Sequence, residues 1–152
     1  MTTHDAPESL VGTTGSTTFR VETDHTTNVF GRQQSPPGMP TATDSDPEEA
    51  VRLLGTAHLL ARVEFTGRES ITGEVPSGTG VVGKTATVEH RGAATIGTDV
   101  VVETEVVGVE EADIHIDGRA SAYGRTIGVA EATLQLVDRR RFRAGLGIEE
   151  GG

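Results

Sequence analysis

The C-terminal half of the chain alternates polar and apolar residues through four consecutive segments, and that pattern leaves few folds open. Between Ala112 and Tyr123, the residues Ile114, Ile116, Ala120 and Ala122 interleave with Asp113, His115, Asp117, Arg119 and Ser121. From Thr126 to Asp138 the inward positions are Ala130, Ala132, Leu134 and Leu136. From Asp99 to Val109 they are Val100, Val102 and Val106. The remaining segment, Gly80 to His90, sets Ala86, Val88 and His90 on one face and Thr85, Thr87 and Glu89 on the other. A period of two over such lengths marks antiparallel strands with one face on a core and one on solvent. A further β-prone segment comes earlier, Thr17 to Thr23, where Phe19 and Val21 alternate with Arg20 and Glu22.

Helical signals fall between that first strand and the other four. Asp46-Pro47-Glu48-Glu49 is a helix start, with an acidic cap, proline at the first helical position and glutamates at the positive end of the dipole. Gly55 interrupts the pattern, which predicts a short helix over 47–54. Thr56 then caps a main helix from Ala57 to Phe65 that ends near Gly67. Ala50, Leu53, Leu54, Ala57, Leu60 and Ala61 follow the stripe of a buried helix face, and the next position on it is Glu64. A carboxylate in an apolar layer costs several kcal/mol or more unless it is paired or protonated. One strand, a helix and four strands make an α+β fold, an antiparallel sheet of about five strands wrapped around a central helix.

Around this core the chain is less regular. Residues 1–16 and 144–152 read as flexible tails, leaving 17–143 as one domain, which 152 residues can build around a single core. Within 31–46, Ser35-Pro36-Pro37-Gly38-Met39-Pro40 precludes a regular element, so this segment is either an active-site lid or a disordered loop.

Composition excludes several functions. The net charge is -10, and Lys84 is the single lysine, so no basic face is available for nucleic acid. Acidic surfaces with few lysines suit a salty cytoplasm, where salt screens their repulsion, and a halophilic host is the reading we take. No apolar run is long enough to span a membrane, and the N-terminus lacks a signal pattern, which predicts a cytoplasmic protein. The absence of cysteine removes disulfides, thiolate nucleophiles and cysteine zinc sites together. No histidine pair has zinc-ligand spacing, so no metal is expected.

Thr56, Glu64 and His90 supply a hydroxyl, a carboxylate and an imidazole, the ingredients of acyl transfer. Spacing alone also accommodates a helix cap, a surface glutamate and a strand-end histidine. At an N-cap, Thr56 would sit beside outward-pointing backbone N–H groups able to form an oxyanion hole. His4 and His25 read as solvated, His58 lies about 200° around the helix from Thr56, and His115 is on the polar face of its strand. Gly83 permits either a close backbone approach or a bulge.

Three motifs carry a family resemblance. They are Leu54-Gly55-Thr56-Ala57 followed by Arg62-Val63-Glu64, then Gly83-Lys84-Thr85-Ala86-Thr87-Val88-Glu89-His90, then Gly92 to Val102. With them the core from Leu53 to about Phe142 resembles the fluoroacetyl-CoA thioesterase group of the hot-dog superfamily. The resemblance implies a hot-dog fold and a hydrolase acting on a small acyl-CoA thioester, with coenzyme A present only as part of the substrate. Thr56, Glu64 and His90 match the group's catalytic threonine, glutamate and histidine, and Gly55, Phe65 and Gly83 beside them are candidate substrate contacts. Arg139, Arg140 and Arg141, with Arg143, are the one basic cluster, fit either to meet coenzyme A phosphates or to balance local acids. Phe65 replaces a different aromatic of the fluoroacetate-resistance enzyme, and 30–46 is longer than its lid, so fluoroacetyl-CoA itself is not implied.

Attack by Thr56, attack by Glu64 and activation of water all remain open, as does a non-catalytic acyl-CoA or small-ligand binding protein on the same fold. A hot-dog hydratase fits less well, because no Asp and His sit a few residues apart in a strand-to-helix turn. Thr56 and Glu64 are eight residues apart, roughly 12 Å along a helix and within about 80° of each other around it. A substrate or a second subunit must therefore supply the missing reach; a homodimer is expected, and whether its site crosses the interface stays open.

Overall fold

The computed structural model describes residues 2–30 and 44–148. Five antiparallel strands form the main sheet in the order β1-β5-β6-β7-β4, with β1 at Thr14–Arg20, β4 at Thr79–His90, β5 at Asp99–Glu110, β6 at Asp113–Ala122 and β7 at Arg125–Asp138. A small second sheet pairs β2 (Thr26–Asn28) with β3 (Arg52–Leu54). The helix α1 (Thr56–Ser70) lies against the main sheet, touching all five of its strands, and α2 (Arg139–Gly145) follows β7 directly. This is the sheet wrapped around a helix that the alternation predicts. No helix among the described residues is long and apolar enough to cross a membrane.

The core forms where the inward rows of β5, β6 and β7 meet α1. Phe19, Leu54, Leu59, Val63, Val100, Val102, Ala120 and Ile127 belong to one buried cluster, while Leu10, Ile71, Val106, Ile114, Ile116, Leu134 and Leu136 belong to a second. Helix and sheet approach closely because the sheet offers glycines beneath large helix residues. A Cβ on Gly118 would collide with Val63, and one on Gly128 would stand 2.8 Å from Leu59. On the outer face, Glu105 lies opposite Asp117 and Asp117 opposite Glu131, so three exposed carboxylates run directly across three strands.

Several expectations are corrected. Of the expected tail 1–16, residues 2–16 are not free: Leu10 is 1% exposed, and Thr2, His4 and Ala6 hydrogen-bond the backbone of Asp138, Leu136 and Glu111. One buried leucine in a polar stretch anchors them. The first strand begins three residues early, at Thr14, where Gly15 leaves room for Ser70 and Thr104. Residues 47–54 form a 3-10 turn at Pro47–Glu49 and then β3, instead of a short helix. Helix α1 is capped by Gly55, so Thr56 is its first residue, and it runs through Gly67 to Ser70 because Gly67 packs against Ile116. The segment expected as a tail from 144 begins inside α2, and Ile148 N–H still bonds the Arg143 carbonyl. Most of 31–46, the expected lid or loop, lies outside the described residues.

Candidate active site

The buried face of α1 is Leu59, Val63, Thr66 and Gly67. The predicted stripe ran through Ala57, Leu60, Ala61 and Glu64, about a hundred degrees away. Because residues 52–54 form a strand, Leu53 and Leu54 never belonged to the helix whose register they suggested. Glu64 therefore lies on the flank of the helix, its side chain 29% exposed, instead of inside an apolar layer.

At the first turn of α1 the Thr56 hydroxyl is 3.0 Å from Nδ1 of His90, the last residue of β4. With Nδ1 unprotonated, the hydroxyl donates. Nε2 of His90 is buried and has no hydrogen-bond partner among the described residues. The Gly55 N–H bonds the His25 carbonyl, which seats the start of the helix against the β2 region. The N–H groups of the first turn have no acceptor within the helix.

Two turns further along α1, Glu64 meets the other half of β4. A Cβ on Gly83 would lie 2.5 Å from Oε1 of Glu64, so only glycine leaves the carboxylate its place. The Arg68 guanidinium is 3.4 Å from the same oxygen and also donates to the Val81 carbonyl at 3.1 Å. Beside Glu64 a shallow depression is lined by Gly83, Ala86, Ala132, Thr133 and Leu134.

Gly83 and His90 both face α1 although they are seven residues apart, an odd number that a regular strand would point to opposite faces. The strand pairing slips between Gly83 and Thr85, so Lys84 is an extra, bulged residue. A bulge inserts one residue and reverses the alternation beyond it. It brings both ends of the motif to one face.

Thus α1 and β4 bring together Thr56 with His90, and Glu64 with Gly83, but as two separate pairs. Eight helix residues separate them by roughly 12 Å, and seven strand residues by roughly 20 Å. Phe65 is 55% exposed on the outer side of the helix. Arg139, Arg140 and Arg141 begin α2, and a Cβ on Gly80 would stand 3.5 Å from Arg139 Cγ, at the Glu64 end of β4.

Other contacts escaped the sequence reading. His25 is not solvated: it stacks on His58 with ring centroids 4.1 Å apart, and Phe19 meets both rings edge-on. Arg62 donates to His58 Nε2 at 3.0 Å and sits over the Phe19 ring. Burial, then the neighbouring His25 and Arg62, push the His58 imidazole down to about 4. Lys84 donates to Asp113 at 2.8 Å, which holds that carboxyl below its ordinary range. Arg62 and Arg68 each sit four residues after a partner, His58 and Glu64, a spacing readable in the sequence. Among the described residues, no cluster of three or more His, Asp or Glu is arranged to hold a metal.

A profile of the family described as FlK, fluoroacetyl-CoA-specific thioesterase, matches residues 39–140. No curated protein sequence matches the chain. Among solved structures, it is similar to a thioesterase superfamily member from Thermus thermophilus at 17% identity, with 90% of each chain covered and a TM-score of 0.72. It is similar also to the fluoroacetyl-CoA thioesterase FlK, at 20% identity over 90% of this chain and 94% of that one, TM-score 0.71. A hot-dog-like protein from Thermanaerovibrio acidaminovorans is 18% identical over 93% of each chain, TM-score 0.71. At such identities these likenesses establish the hot-dog fold. The profile covers most of the chain, including α1 and all of β4 with the residues just described. The chain belongs to the fluoroacetyl-CoA-specific thioesterase family, a family of thioester hydrolases.

Proposed function

We propose that the protein hydrolyses the thioester of a small acyl-CoA, that Thr56, Glu64 and His90 are its working groups, and that two chains contribute to each site. The observation that carries this reading is the 3.0 Å contact between the Thr56 hydroxyl and His90 Nδ1 at the start of α1. Attack on the thioester carbonyl by Thr56, by Glu64 or by water ends in the same products. The C–S bond breaks, the coenzyme A sulfur leaves and takes a proton, and water supplies the hydroxyl of the acid. Where Thr56 or water attacks, His90 accepts its proton and returns it to the leaving thiolate. Where the Glu64 carboxylate attacks it has no proton to give, so the thiolate is protonated from solvent and His90 accepts the proton of the water that opens the mixed anhydride. The free first-turn N–H groups of α1 suit the oxyanion that forms in between. Arg139 to Arg141, some three strand residues (about 10 Å) beyond Gly83, are in reach of the substrate's phosphates. The protein works in a salt-rich cytoplasm, to which its acidic surface is suited.

The edge of the sheet supports the two-chain reading. Among the described residues strand β4 pairs with β7 alone, so its other edge offers backbone N–H and C=O groups to a further strand. In antiparallel pairing of two copies about an axis at Thr87, His90 of one copy lies opposite the Gly83–Lys84 bulge of the other, three residues from the axis on either side. Residues paired in this way point to the same face. Glu64 of one chain would then complete the Thr56–His90 pair of the other.

A panel of short acyl-CoA thioesters, assayed for thiol release at low and high salt, tests hydrolysis; binding without release identifies a non-catalytic ligand protein. Thr56→Ala and Glu64→Gln proteins, each depressed by about 10²–10⁴-fold, are then mixed under subunit exchange. Recovery of about one working site per mixed dimer is expected. No recovery despite proven exchange would place all three residues in one chain.

A further inference from the structure

We propose that Arg68 is a positioning residue, holding the Glu64 carboxylate over Gly83 in the orientation the reaction uses; this rests on the thioesterase reading above. The guanidinium makes two contacts of different kinds. One nitrogen lies 3.4 Å from Glu64 Oε1, and the other donates to the Val81 carbonyl of β4 at 3.1 Å. Arg68 is thus tied to the strand that carries Gly83, two residues from it.

Glu64 is consequently bounded on one side by the strand and on the other by a cation fixed to that strand. The missing Cβ of Gly83 admits the carboxylate, and Arg68 stops it from swinging out to solvent. Glutamate has three rotatable bonds and sits here on a helix flank with Arg68 on one oxygen and, among the described residues, no partner on the other, so without a tether it samples several rotamers. A partly exposed pair of this kind contributes little to stability. Its consequence is orientation, and the i,i+4 order with the acid N-terminal is the favourable one on a helix.

The test compares Arg68→Met and Arg68→Lys with the parent on a thioester that the parent hydrolyses. Loss of the tether should lower kcat by about 10- to 100-fold, the scale for a misplaced catalytic group, with KM held within about threefold, as for an interaction used in the transition state. Arg68→Lys, which restores a cation, should recover most of the rate, and Arg68→Met should add no further loss to Glu64→Gln. A bare helix-to-strand staple would instead lower the melting temperature of Arg68→Met and leave kcat within twofold of the parent, which overturns the proposal. Should the parent release no thiol from any acyl-CoA, the thioesterase reading fails separately. Arg68 is then judged by the carbon-13 signal of the Glu64 carboxyl, assigned by its loss in Glu64→Gln. The signal should move in Arg68→Met, and an unmoved signal disproves the tether.

Discussion

Gly83 shows how tightly single positions are specified here. With 2.5 Å between a would-be Cβ and Glu64 Oε1, alanine has no room unless the carboxylate yields. In most strands replacing glycine by alanine is neutral or stabilising, since glycine gives up more backbone freedom on folding. Gly83→Ala should therefore keep or raise the melting temperature while lowering kcat by about 10- to 100-fold. Calorimetry beside a thiol-release assay separates the two, and full activity in that variant would place the working carboxylate elsewhere. Glu64 was legible in the sequence, but partly for the wrong reason. Its place on an apolar stripe drew attention, whereas it lies on the flank and is paired. The odd spacing from Gly83 to His90 held the sounder clue, because a seven-residue motif facing one helix requires a bulge. Contacts made through space, such as Thr56 with His90 across 34 residues, leave no periodicity to read.

Elements with a long period were read well and short ones were not. Strands β4 to β7 fall within a residue or so of expectation, because period-two alternation over ten or more residues fits little besides a half-buried strand. The β2–β3 pair has three residues per strand and no period at all. Misreading β3 as helix then rotated the expected buried face of α1. The helix carries its own pH sensitivity. His58 is held neutral with its pKa at about 4, while an unfolded chain takes up the proton near 6.5. Between these values the unfolded state binds more protons, so stability is complete above pH 6.5 and declines as pH falls towards 4. Discounted for partial exposure, the loss is on the order of 1 kcal/mol, a few degrees in melting temperature. Melting curves from pH 7 to 4 should show a shallower decline in His58→Gln than in the parent; equal slopes would assign the decline to other groups.

For the whole molecule, charge is the dominant surface property. The row Glu105–Asp117–Glu131 sets like charges directly opposite one another, which costs roughly 0.2–1 kcal/mol per pair where salt does not screen it. The melting temperature should climb as KCl is raised from about 0.05 M, where the Debye length exceeds 10 Å. Asp117→Asn should melt higher at low salt and climb less. A salt response identical to the parent's would shift the effect to the rest of the acidic surface. The overall acidity was plain from composition, but only strand register reveals that three of the acids share a row.

The bulge in β4 has a practical corollary. Lys84, the single lysine of the chain, projects there with 46% of its side chain exposed. An amine-reactive dye therefore has one side chain to find, on the strand edge where a second copy would dock. In the proposed pairing two such dyes would lie within about 20 Å of each other, six residues apart along the paired strands. They would quench each other when the chains associate and brighten on dilution, so a single labelling step yields an optical gauge of assembly with no residue replaced.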